Sequence, residues 1–275
     1  MRASLTRWDS EVALIAISVP PVVVGIGVAA HLHSAGVAKS LGAVGVALAL
    51  GFGVQAAVRS PRRIPVRSMV GQLPLPAIVW LALAAAIGIW LSLSTAWWLL
   101  VVGAVASAAL LALVLRPGPL RFRGFQEIAA LVVAELLAGW GTVWVEFGHL
   151  PLLGGLAAIL PAVLAAALLL LINLRDLSAD LHAARITAVV RLGASKARRL
   201  FLGLLALALA VPLLITIPGL GGAECFLPWV AAPVAEGPIR NSTAEDSTAT
   251  RRAVRQMELL LVASCVLLAI GIWAG

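Results

Sequence analysis

Long apolar runs, each about the length of a bilayer crossing, recur from end to end of this chain and leave it few possible folds. A helix of about 20 apolar residues spans the hydrocarbon core of a membrane. Inside that core each backbone N–H and C=O has to be satisfied within the protein, which leaves helices and closed barrels. Runs of this length are helical, so the expectation is an all-α polytopic membrane bundle forming one domain over 1–275. Composition agrees: 62% of residues are hydrophobic and 12% charged, against about half and a quarter in soluble domains. Nine spans are expected, near 12–31, 36–58, 75–93, 96–115, 126–147, 152–173, 200–217, 223–235 and 256–274. The eighth is short and interrupted by Pro228 and Pro233. No small-residue cleavage site follows the first run, which is read as a retained helix.

The charges between the runs test that count. Arg2 and Arg7 precede the first span. Arg59, Arg62, Arg63 and Arg67 follow the second, and Arg116, Arg121 and Arg123 the fourth. Arg175, Arg185, Arg191, Lys196, Arg198 and Arg199 follow the sixth, and Arg240, Arg251, Arg252 and Arg255 the eighth. With nine spans, every cation but Lys39 falls on one face. Positive residues stay cytoplasmic, so the N-terminus is expected inside and the C-terminus outside a bacterial inner (plasma) membrane. Arginine-rich, Ala/Leu/Val/Gly-rich composition fits such a source. The same bias accounts for the net charge of +8 without a nucleic-acid partner. Cys225 and Cys265 are far apart with no CxxC spacing, so neither a disulfide framework nor a metal cluster is expected. The small residues of "GAVGVALALGFG" are read as packing positions that let helices approach closely.

The stretch "NLRDLSADLHAARITAVVRLG", 173–193, follows the sixth run. Asp176 and Asp180 stand at i and i+4, on one face of a helix, with Asn173 a turn earlier. Two readings of the spacing stand. The pair could hold Mg²⁺, a hard cation that takes a few carboxylates together with substrate phosphate oxygens. Or Asp176 pairs with Arg175 or another loop arginine, and Asp180 is solvated.

The same stretch resembles the second aspartate-rich motif of the UbiA superfamily of membrane prenyltransferases. The likeness is closest to the 1,4-dihydroxy-2-naphthoate polyprenyltransferases of menaquinone synthesis, whose pattern is roughly NNxRDxxxDxxAGKxTLAVRLG. Asn173, Arg175, Asp176, Asp180, Thr187, Arg191, Leu192 and Gly193 match, with Arg185 in place of a family lysine and Ala184 in place of glycine. "PVRSMVGQLPLP" (65–76) and "RFRGFQE" (121–127) resemble further family segments and bring Arg67 and Glu127 into family positions. The resemblance implies a nine-helix bundle around a lipid-open cavity. In it, Mg²⁺ on aspartate-rich motifs grips a polyprenyl diphosphate, and an aromatic acceptor such as 1,4-dihydroxy-2-naphthoate attacks the prenyl carbon. Carried over, Asp176 and Asp180 are the metal-binding and catalytic residues. Asn173, Arg67, Arg185 and Glu127 are the substrate-binding ones.

The chain also departs from the family. Its first aspartate-rich motif, roughly GxNxxNDxxD, is here "GVQAAVRSPRR" (53–63). Arg59 and Arg62 stand at the aspartate positions, and a guanidinium donates hydrogen bonds and does not ligate Mg²⁺. Arg59 and Arg62 could instead grip diphosphate directly, or serve only the positive-inside rule. The chain has no tyrosine, so no family tyrosine survives. Beside an active prenyltransferase stand two alternatives: a catalytically degenerate paralogue that binds isoprenoid lipid or partners an active enzyme, and an enzyme of the same fold with altered isoprenoid chemistry.

Other candidates lie outside the motif. Glu135 falls mid-span, where an ionisable residue is costly and often functional. Glu146, near the outer end, is expected to be hydrated. His31 and His33 are read as a wet loop and not a metal site, and His182 carries no family requirement. Trp97, Trp98, Trp144 and Trp229 are expected in an interfacial belt, with Trp80 and Trp140 facing the cavity.

Overall fold

The structure, a computed structural model, describes residues 17–58, 74–115, 124–182, 186–242 and 247–275. Five helices make the first half: α1 (Pro20–His31), α2 (Val37–Val58), α3 (Leu75–Thr95), α4 (Leu99–Leu115) and α5 (Phe125–Phe147). The sixth expected span is a helix broken at Ala158 into α6 (Leu152–Ala157) and α7 (Ile159–Arg175). Two short helices follow, α8 (Leu177–His182) and α9 (Ala188–Leu192), then α10 (Ala194–Thr216). A 3₁₀ segment (Ala223–Ala235), α11 (Glu236–Asn241) and α12 (Ser247–Ala274) complete the chain. Among the described residues there is no strand, and one isolated bridge joins Gly124 to Thr187. Helices long and apolar enough to cross a membrane cover five of the nine expected spans: Val37–Ala56, Leu75–Thr95, Leu152–Arg175, Ala194–Thr216 and Ala249–Ala274.

The bundle is organised around α6 and α7. Their sequence is Leu and Ala on every side, and a helix apolar all round has to be enclosed. Residues 160–174 are buried without exception. In the Leu152–Arg175 span 83% of the apolar window is buried, against 22–56% in the other four. Helices α5, α10 and α12 pack against it. Small residues allow close approach elsewhere, as the sequence predicts. A Cβ on Gly42 would meet Trp90 Cζ3 of α3 at 2.9 Å, and one on Gly53 would meet Leu81 Cγ at 2.9 Å. The α2–α3 hairpin therefore closes on backbone rather than on side chains.

Where α2 begins and α5 ends, the two helices cap each other. Glu146 is not hydrated as expected but 7% exposed. Its Oε2 accepts from the Gly36 N–H at 2.7 Å and its Oε1 from the Ser40 hydroxyl at 2.7 Å. A carboxylate thus sits on the N-terminal end of α2, where helix dipole and free N–H groups favour a negative charge. In return Lys39 donates from Nζ to the Val145 carbonyl at 2.9 Å, at the C-terminal end of α5. Lys39 is the cation that the charge count leaves on the outer face, and this contact is what it does there.

The eighth expected span is the 3₁₀ segment. Its 13 residues are too few for an α-helix to cross a bilayer. A 3₁₀ helix rises about 2.0 Å per residue against about 1.5 Å, so the same residues reach roughly 26 Å. Pro228 and Pro233, which interrupt the apolar run in the sequence, sit inside it.

The reciprocal cap yields a stability test. Glu146→Ala leaves a buried N–H and a hydroxyl without their charged acceptor and should destabilise by about 2–4 kcal/mol. Glu236→Ala breaks an exposed pair with Arg240 (2.6 Å, 61% and 76% exposed) and should cost less than about 1 kcal/mol. Thermal unfolding followed by tryptophan fluorescence in one detergent compares them. Equal midpoints would mean that the cap contributes nothing.

Candidate functional site

The acids of 173–193 gather where the central helix ends. Asn173, in the last turn of α7, is fully buried. Asp176 ends the helix with φ −91° and ψ 6°, and α8 starts at the next residue. The helix turn nevertheless carries across the break, because the Asp180 N–H donates to the Asp176 carbonyl at 2.8 Å. The one-turn spacing read from the sequence therefore survives an interruption that the sequence did not suggest.

The two aspartates differ in environment. Asp176 pairs with its neighbour Arg175, whose Nε donates to Oδ1 at 2.8 Å and whose NH2 donates to Oδ2 at 3.1 Å. The pair is partly open, with side chains 17% and 23% exposed. This is the ordinary ion pair that spacing alone allowed. Asp180 is not solvated: it is 1% exposed, although carboxylates are almost never fully buried without a purpose or a partner. Two carboxylates one turn apart, with the Asn173 amide before them, are the oxygen donors that suit one Mg²⁺. No cluster of three or more His, Cys, Asp or Glu occurs among the described residues. The donor set fits a single ion that takes its other ligands from phosphate and water.

A second segment is fastened to this motif. The Gly124 N–H donates to the Ile186 carbonyl at 2.8 Å, and Gly124 bridges Thr187. Gly124 has φ 66°, and a Cβ there would meet Arg191 Cδ at 2.8 Å. Only glycine takes that backbone freely and leaves room for the arginine. Thr187, 1% exposed, caps α9 by accepting from the Val190 N–H at 3.3 Å. Gly193, at φ 76°, ends α9 and lets α10 begin. Gly124, at the start of α5, is thus joined to Ile186, Thr187 and Arg191. Sequence reading placed both segments near the ligand but did not see that they touch. The signal was Gly124, directly after Arg123 and immediately before a helix.

The remaining predicted site residues divide. Glu127 lies in the first turn of α5, with its side chain outside the described residues. Arg59, Arg62, Arg67 and Arg185 also lie outside them. Of the departed first motif, Gln55 is described and is 8% exposed near the end of α2. His31 and His33 form no metal cluster, and His182 is held by the Ser178 carbonyl at 2.7 Å.

A cavity of about 170 Å³ opens among α1 to α5, lined by Ala47, Leu91, Val102, Glu135 and Thr142 among others. No aromatic side chain is among the described residues that line it, and Trp80 and Trp140 lie elsewhere. Trp80 packs on Phe52 at 5.1 Å, and Trp140 donates from its indole to the Gly155 carbonyl at 3.3 Å. Trp98 and Trp144 meet edge to face at 4.6 Å beside Leu91 and Leu99. Cys225 and Cys265 are free thiols, both buried.

Comparison with known proteins gives a consistent result, although no protein-family model matches the chain. Over 261 residues it is 34% identical to a Mycobacterium tuberculosis protein named 1,4-dihydroxy-2-naphthoate octaprenyltransferase, covering 87% of this chain and 88% of that one. A Mycobacterium leprae protein of the same name is 32% identical over 250 residues, covering 85% and 84%. Among solved structures, an apo UbiA homologue from Aeropyrum pernix K1 superposes with a TM-score of 0.56 at 16% identity, over 93% of this chain and 97% of that one. A structure of digeranylgeranylglyceryl phosphate synthase gives 0.58 at 11% identity, over 98% and 99%. At those identities the two structures speak for the fold. The resemblance carried by 173–193 is borne out: this chain belongs to the family of the 1,4-dihydroxy-2-naphthoate octaprenyltransferases and has the UbiA fold.

Proposed function

We propose that the protein transfers a polyprenyl group from its diphosphate to an aromatic acceptor such as 1,4-dihydroxy-2-naphthoate, at the cytoplasmic face of a bacterial membrane. The observation that carries this reading is the buried Asp180 beside Asn173 and Asp176, at the end of the most enclosed helix. A carboxylate is costly to bury at the end of a membrane helix, and one kept there is often functional. The family supplies the substrate classes.

In this reading Asp176, Asp180 and the Asn173 amide oxygen hold one Mg²⁺, which supplies charge neutralisation on the diphosphate. Arg175 holds Asp176 in position, and its guanidinium would suit phosphate oxygens as well as the carboxylate. Arg67 and Arg185 donate to the diphosphate, with bidentate geometry that a lysine would lack. Arg59 and Arg62 add positive charge where the family's first acidic motif would stand. Glu127, at the start of α5, contacts the substrate. The carbon–oxygen bond to the diphosphate breaks and its electron pair leaves with the diphosphate. A ring carbon bonds to the prenyl carbon, and the ring's carboxylate leaves as CO₂ to restore aromaticity. Donors fixed in advance around the leaving group stabilise the charge that develops there.

The test is pyrophosphate release by the full chain in lipid nanodiscs, with geranylgeranyl or a longer prenyl diphosphate and dihydroxynaphthoate. Mg²⁺-dependent release that falls at least about 100-fold in Asp180→Asn is the expected result. A folded wild type that releases nothing would overturn the enzyme reading in favour of a degenerate, lipid-binding relative.

Orientation follows from the charge bias: N-terminus inside, C-terminus outside, with nine crossings. After Cys225 and Cys265 are replaced, Gly275→Cys should react with an impermeant maleimide in intact cells and Ser195→Cys only after lysis. The reverse pattern would invert the assignment, and labelling of both in intact cells would break the span count.

A further inference from the structure

Glu135 is the one carboxyl on the wall of the 170 Å³ cavity. It is 4% exposed, and its Oε2 has no hydrogen-bond partner among the described residues. Two of the wall's hydroxyls are committed elsewhere. Thr142 donates to the Ala138 carbonyl at 2.8 Å and Ser92 to the Gly88 carbonyl at 2.8 Å, each within its own helix. The rest of the wall is Ala, Val, Leu and Gly with a few hydroxyls. A buried polar oxygen left without a partner is costly, and natural proteins rarely keep one without use.

Size and chemistry together define the occupant. Cavities of about 150 Å³ with apolar walls stay dry and hold a single small aromatic molecule. The site therefore takes a flat apolar body, and Glu135 demands a hydrogen-bond donor on it. A carboxyl oxygen accepts whether or not the group is ionised. A prenyl tail satisfies the walls but offers Glu135 nothing, and an inorganic cation suits Glu135 but not the walls.

The cavity is also displaced from the aspartates. Gly124 is joined to the motif loop, and from Gly124 to Glu135 helix α5 rises by about 16 Å. A ring reacting beside Asp176 and Asp180 is not the ring held at Glu135.

We propose that this mid-membrane cavity is a separate binding site for an aromatic alcohol, whose hydroxyl donates to Glu135. The ligand class includes both the acceptor of the proposed reaction and its prenylated product, and that naming alone rests on the prenyl-transfer reading. The binding itself needs neither Mg²⁺ nor diphosphate.

The experiment is equilibrium binding to the full chain in nanodiscs, without Mg²⁺ or prenyl diphosphate, against empty nanodiscs. The probes are 1-naphthol, its methyl ether 1-methoxynaphthalene, and 2-geranyl-1-naphthol. Wild type should prefer 1-naphthol to the ether by roughly tenfold. Glu135→Leu should erase that preference while the protein stays folded, and Ala47→Phe, which fills the cavity and keeps the carboxyl, should abolish binding of both. Asp180→Asn should leave all of this unchanged. Tighter binding of 2-geranyl-1-naphthol assigns the site to product, and tighter binding of 1-naphthol to acceptor. Equal binding of alcohol and ether by wild type, or loss of naphthol binding in Asp180→Asn but not in Glu135→Leu, overturns the proposal. Because no turnover is read, failure of prenyl transfer and failure of this site give different results.

Discussion

Enclosure of the α6–α7 helix is the constraint on which the other features depend. Its Leu and Ala surface makes no distinction between faces, so neighbours have to surround it on all sides. Within a bilayer this enclosure is not driven by escape from water. It comes from dispersion contact between closely packed side chains and from small residues that admit a neighbour. The polar cargo of the helix is confined to its last turn. Asn173 and the two aspartates that follow are therefore presented at one depth, on a support with few ways to shift.

That arrangement separates two kinds of chemistry by depth. Charged groups gather where α7 ends, at Arg175, Asp176 and Asp180, and Arg191 lies against Gly124 of the bridged loop. The first five helices enclose an apolar space with one carboxyl in its wall. Diphosphate chemistry needs the first environment, and an uncharged ring is more stable in the second.

Much of this was legible in the sequence, and the limits of legibility have physical causes. Helix positions followed from apolar runs, because backbone satisfaction in lipid admits no other local solution. The aspartate pair was legible because its spacing is local. Its ion pair with Arg175 was anticipated too, being between adjacent residues. Glu146 was misjudged because its partners, Gly36 and Ser40, lie more than 100 residues away. Nothing local distinguishes a glutamate that caps a distant helix from one that meets water. The facing of Trp80 and Trp140 was not legible for a related reason: helical periodicity is uninformative when every face of a span is apolar. The break after Asp176 was invisible, since the hydrogen bond that carries the turn onward joins the same residues that an unbroken helix would join.

The 3₁₀ segment makes the bundle's dimensions unusual in one respect. An α-helical crossing draws its length from a continuous ladder of its own hydrogen bonds. Here two prolines remove donors from a ladder that is already the weaker kind, while α10 and α12 flank the segment. Relaxing all 13 residues to α-helical rise would shorten it by about 6 Å. This is comparable to the difference in thickness between biological membranes. That change of length falls within the 3₁₀ segment alone, well away in sequence from Asp176 and Asp180.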